Sequence, residues 1–115
     1  RFVMKFQQTT SPVTAKGIDK TTGCAANRVS TFALTDSRIF VVADARNFKS
    51  GTVFSVNWSG NEFSRENTWT ADRDQAQLCI YFYIEPKTLA LKAGNYTVTM
   101  SAGGISSTPA AFTIQ

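Results

Sequence analysis

Leu78-Cys79-Ile80-Tyr81-Phe82-Tyr83-Ile84 sets Leu, Ile, Phe and Ile at every second position, with Cys and two Tyr between them. Val53-Phe54-Ser55-Val56-Asn57-Trp58 and Tyr96-Thr97-Val98-Thr99-Met100 repeat the period. A repeat of two sends successive side chains to opposite faces of a pleated strand, whereas a helix would need apolar residues three and four apart. The chain is therefore expected to be all-β, an antiparallel sandwich of about seven to eight strands. Parity also names the core. Phe54, Val56 and Trp58 share one face of their strand, Ile80 and Phe82 share a face of theirs, and Tyr96 and Val98 do the same. A buried Trp58 needs an acceptor for its indole N–H.

Seven strands are expected between residues 28 and 114: 28–34, 38–45, 52–58, 63–70, 77–84, 95–101 and 105–114, the last broken near Pro109. Turn residues separate them, such as Lys49-Ser50-Gly51, Ser59-Gly60-Asn61 and Glu85-Pro86. Residues 1–28 read differently. Arg1 to Gln8 suits a short strand with Phe2, Met4 and Phe6 on one side, while Thr9 to Pro12 and Lys16 to Asn27 read as turn and loop. The expected organisation is a single domain: residues 1–28 an edge strand with a long connection or a linker, and residues 29–115 the sandwich.

A chain of 115 residues with 43% hydrophobic content and nine Phe can fill one two-sheet core. No apolar run approaches the ~18 residues of a membrane-spanning helix. The start, Arg1-Phe2-Val3 without an initiator Met, leads to the expectation of a trimmed chain that follows a signal peptide, a lipid anchor or another domain. The net charge is +4, but Lys and Arg are scattered singly with no basic run, so nucleic acid is not an expected partner.

Cys24 and Cys79 stand 55 positions apart, outside any CxxC pair, and there is no His. That argues against zinc and for a disulfide, hence for a secreted, periplasmic or cell-surface protein; two free thiols in a cytosolic protein are the alternative.

Residues 29–115 resemble immunoglobulin-like modules of bacterial secreted and surface proteins. The likeness rests on Phe32 to Asp36, the Asn47 to Gly51 turn, the Trp58 strand, Gly94-Asn95-Tyr96-Thr97-Val98, Gly103-Gly104 and the closing Phe112-Thr113-Ile114. It implies a spacer, an adhesion or assembly domain, or a unit that binds protein or carbohydrate. Antibody-type domains bridge their two sheets through the core. Here Cys79 has the opposite parity from Leu78, Ile80 and Phe82, so a bridge lies outside the core.

Catalytic, metal-binding and cofactor-binding groups are not expected. Without His, neither a Ser-His-Asp nor a Cys-His mechanism is available. Asp72 and Asp74 flank Arg73 in a loop and suit a solvated turn better than an acid–base pair or a calcium site, which takes six to eight oxygens. Gly103-Gly104 has no helix after it to make a phosphate loop. Asn57-Trp58-Ser59 and Asn95-Tyr96-Thr97 match the N-glycosylation pattern, Asn95 being the better placed.

Tyr81 and Tyr83 point away from the core and, with Trp69, make a candidate binding surface for sugar rings or a partner protein. Alternatively, the N-terminal segment, drawn in by Cys24 and contributing Phe2, Met4 or Phe6, covers that face. The expected function is a non-enzymatic binding or structural module that engages a protein partner. A carbohydrate-binding module is the second reading. A small secreted inhibitor or effector, presenting Ser59–Glu62 or Asp72–Gln75, is the third.

Overall fold

A computed structural model describes residues 3–4, 12–60, 62–103 and 105–115. In chain order the strands are β1 (Val3–Met4), β2 (Val13–Ile18), β3 (Ala25–Arg28), β4 (Thr31–Phe32), β5 (Ile39–Phe48) and β6 (Val53–Gly60). They continue with β7 (Phe63–Thr70), β8 (Gln75–Ile84), β9 (Gly94–Ala102), β10 (Ile105–Ser106) and β11 (Ala110–Ile114). Two sheets pack face to face as an all-β sandwich. In one, β5 is central, with β8 along one side and β1 and β2 along the other, and β3 lies outside β2. The other runs β4-β11-β9-β6-β7, with β10 also paired to β9.

The strands read from alternation fall where expected, and three details differ. Val13–Ile18, half of it read as loop, pairs with β5 through Val13↔Val42 and Ala15↔Phe40, and then with β3. Thr14 and Ala15 are buried there, and the polar residues that follow belong to a hairpin, not to a structureless loop. The strand expected at 28–34 is interrupted: β3 stops at Arg28 and the chain changes sheets before β4. Finally, β4 runs parallel to β11, Thr31 opposite Thr113, so the sandwich is antiparallel except at this short pair. At the C-terminal end, Ser107 to Pro109 separate β10 from β11, as the proline implies.

All seven core residues read from parity are buried: Phe54, Val56, Trp58, Ile80, Phe82, Tyr96 and Val98. Phe112 of β11 joins them, its ring stacked on Tyr96 (centroids 5.4 Å apart) and edge-on to Trp58 (6.0 Å) and Phe32 (5.7 Å). The Tyr96 hydroxyl donates to the carbonyl of Lys92 at 2.6 Å, as in the tyrosine corner of Greek-key sandwiches, and so ties the start of β9 to the preceding loop. Phe48 reaches the core because Asn47, at φ 55°, turns the end of β5 and brings the ring against Phe54 at 5.0 Å.

Candidate functional site

β8 and β7 are outer strands on the same side of the sandwich, one from each sheet. Among the described residues β8 pairs only with β5, and β7 only with β6. A cavity of about 690 Å³ opens between them, with Arg65, Asn67 and Trp69 on one wall and residues 78–85 on the other. Its depth follows from the pairing. Trp69, Asn67 and Arg65 stand opposite Phe54, Val56 and Trp58 of β6, and cross-strand partners share a face, so this face of β7 is turned inward. Among the described residues no strand pairs with the outer edge of β8, and Trp69 stays 38% exposed while resting on Phe54 at 5.7 Å.

On the outer face of β8, Tyr81 and Tyr83 are 42% and 40% exposed. Phe40 of β5 backs both, with centroid distances of 6.1 Å to Tyr81 and 5.5 Å to Tyr83. The Arg38 guanidinium sits 4.3 Å above the Tyr83 ring and pairs with Glu85 at 3.5 Å. The three aromatic residues singled out from the sequence thus line one groove without sharing a plane: the tyrosines lie on the outer face of one sheet and Trp69 on the inner face of the other. Phe40, Arg38 and Arg65 were not singled out. Phe40 has the opposite parity from Ile39 and Val41, a signal that would have found it; the two arginines carry no such mark, since their roles depend on strands far away in sequence.

Cys24 and Cys79 are disulfide-bonded, their Cα atoms 5.0 Å apart. The β2–β3 turn is built for the reach. Asp19 N–H donates to the Cys24 carbonyl at 2.8 Å, Gly23 N–H to the Asp19 carbonyl at 2.7 Å, and Thr21 N–H to Asp19 Oδ1 at 2.7 Å. Gly23, at φ 76°, lies so near β8 that a Cβ there would come 3.3 Å from the Cys79 carbonyl oxygen and 3.4 Å from the Tyr81 ring. The hairpin tip therefore sits at Cys79, beside Tyr81, and leaves both tyrosines exposed. Phe2 and Phe6, offered as a cover, lie outside the described residues, and Met4 belongs to β1, opposite Ala45.

The two loops considered for presentation differ in character. Ser59 and Gly60 belong to β6, and Asn61 lies outside the described residues. Asp74 accepts from Ser50 N–H at 2.8 Å and faces Lys49 at 3.7 Å, which ties its loop to the β5–β6 turn, and Asp72 pairs with Arg73 at 3.4 Å in solvent. Among the described residues no three His, Cys, Asp or Glu side chains converge, and no helix is long and apolar enough to cross a membrane. Among the described residues two buried side-chain atoms have no hydrogen-bond partner, Trp58 Nε1 and Asn67 Oδ1. No protein-family model matches the chain, and no curated protein matches it in sequence.

Proposed function

We propose that this chain is an immunoglobulin-like binding module of an exported or cell-surface protein, without catalytic activity, that engages a protein partner along its β7–β8 side. One observation carries the reading: Trp69, Tyr81 and Tyr83, three large aromatic side chains, remain well exposed around a single groove. Aromatic residues anchor protein interfaces because each buries a large area at the cost of few rotatable bonds. The disulfide supports an oxidising compartment. The test is to compare the wild-type chain with a Tyr81→Ser/Tyr83→Ser/Trp69→Ser variant for capture of proteins from the extracellular or periplasmic fraction of its source. Proteins retained by the wild type and lost by the variant support the reading. Identical retention by both sinks it.

A carbohydrate ligand is the second reading. It is favoured by the adjacent tyrosines backed by Phe40 with a cation over one ring, an arrangement suited to the apolar face of a sugar. Titration against a glycan panel, followed by tyrosine and tryptophan fluorescence, decides it. Signals that stay flat across the panel remove this reading and leave the first untouched.

A further inference from the structure

We propose that β8 receives an extended segment of a partner protein as an added strand, and that Arg65 selects a segment with a carboxylate facing the groove. This rests on the protein-binding reading above and specifies its mode and partner chemistry.

The sequence of β8 does not guard its outer edge. From Gln75 to Ile84 the strand runs ten residues with no charge and no proline, two of the features that stop a free edge from pairing. The β2–β3 hairpin tip is held against the strand at Cys79 by the disulfide, with Gly23 beside the Cys79 carbonyl. The other outer strands are protected or short: β7 carries Arg65 and Glu66, β3 has four residues ending in Arg28, and β4 has two. No turn or loop backbone hydrogen bond among the described residues reaches β8.

The space beside β8 is shaped for a strand. A segment pairing with β8 would lie ~4.8 Å from it and ~10 Å from the other sheet, directly above the inward face of β7. Its groove-facing side chains would meet Trp69, Asn67 and Arg65 while its flank packs along Ile80, Phe82 and Ile84. Leu78 to Ile84 offers room for a segment of about six or seven residues, roughly 20 Å of strand.

Charge identifies the occupant. Arg65 is the only charged residue on the inward face of β7 and has no ion pair among the described residues. Glu85, the acid at the groove's end, is already paired with Arg38. A second copy of this chain paired edge to edge would offer Arg65 only Leu78, Ile80, Phe82 and Ile84, and would join two molecules of net charge +4. A partner segment alternating apolar residues with an Asp or Glu toward Arg65 satisfies both halves of the groove.

The experiment selects random 12-residue displayed peptides on the intact, disulfide-bonded chain and resynthesises the best binder. Two versions are made, N-methylated on one or the other alternating set of residues. Strand addition predicts that one set loses at least ~10-fold in affinity and the other stays within ~2-fold, because only alternate N–H groups face the ladder. It also predicts that Arg65→Glu weakens an acidic binder by ~10-fold or more and that Lys in place of the peptide's acid restores binding to that variant. Arg65→Gln, which keeps the side chain's length without charge, should fall between, and circular dichroism checks that each variant is folded.

Equal tolerance of both N-methylated peptides, or indifference to the Arg65 substitutions, overturns strand addition and leaves the protein-binding reading standing. A β8-paired dimer seen by light scattering and displaced by no peptide overturns the choice of occupant. Failure to enrich any peptide also overturns the inference. The protein-binding reading itself falls only if, in addition, the wild type and the triple aromatic variant retain the same proteins.

Discussion

Trp58 is completely enclosed, yet its indole Nε1 has no acceptor among the described residues. The parity that buries this side chain outweighs the need to satisfy one N–H, since a packed core Trp is worth about 3–5 kcal/mol and an unsatisfied buried donor costs about 1–3 kcal/mol. Trp58→Ala should therefore cost about 3–5 kcal/mol in urea denaturation. Trp58→Phe should cost clearly less, because it removes the orphaned donor along with part of the ring. Equal losses for the two would mean that Nε1 is satisfied in solution. Asn67 presents the same conflict from the acceptor side, its Oδ1 buried beside Val56 without a donor among the described residues. Asn67→Val should raise stability by about 1 kcal/mol, since a β-branched apolar residue suits the strand and leaves nothing unpaired. A loss in the same assay would show that the amide finds a partner. At Gly60, φ is 140° and a Cβ would come within 2.5 Å of the Asn95 carbonyl oxygen and 2.8 Å of Tyr96 Cα. Both obstacles are backbone, so Gly60→Ala should destabilise by ~1–3 kcal/mol.

Between elements, the hairpin of β2 and β3 is the part that the sequence disclosed least. β6, β8 and β9 were legible because each buries one face, and burial writes a period of two into the residues. β2 keeps that pattern for only three residues before Lys16 and Gly17 turn polar and small, and what defines it is pairing with Val42 and Phe40. β4 has two residues and owes its existence to β11, so no local pattern could reveal it. The groove was legible by halves. The tyrosines announced themselves by parity, but the common wall they form with Trp69 depends on both sheets ending on the same side. The disulfide is what holds the hairpin tip on β8. Closing a loop of 55 positions should stabilise the fold by about 4 kcal/mol in the chain-entropy model. A Cys24→Ser/Cys79→Ser variant should show a lower urea midpoint by that order, with amide exchange rising first in residues 13–28 and around Tyr81. Exchange that rises uniformly would mean the hairpin and sandwich unfold as one.

The sandwich closes through its last strand. β11 lies between β9 and β4, pairing antiparallel with one and parallel with the other, so that Ile114 stands opposite both Gly94 and Phe32. Phe112 touches the rings of Phe32, Trp58 and Tyr96, which come from three separate strands. Phe32, from the first third of the chain, is therefore held in the core by residues of the last strand. Such long-range pairings close large loops before any local contact repays them, and they make the assembled fold cooperative. Removing residues 110–115 should leave β4 without its partner and open the aromatic cluster on one side, a loss comparable to the ~5–15 kcal/mol that separates typical folded domains from unfolded ones once strand pairing is counted with burial. The truncated chain is expected to show no near-ultraviolet circular dichroism signal from Trp58 and no cooperative heat-absorption peak, whereas the full chain shows both. A cooperative transition in the truncated chain would place the stabilising core in β5, β6, β8 and β9 alone, and would make β11 a cover and not the closing strand. Adding back a synthetic peptide of residues 106–115 separates the two: recovery of the Trp58 signal in proportion to bound peptide is the outcome expected if β11 completes the core.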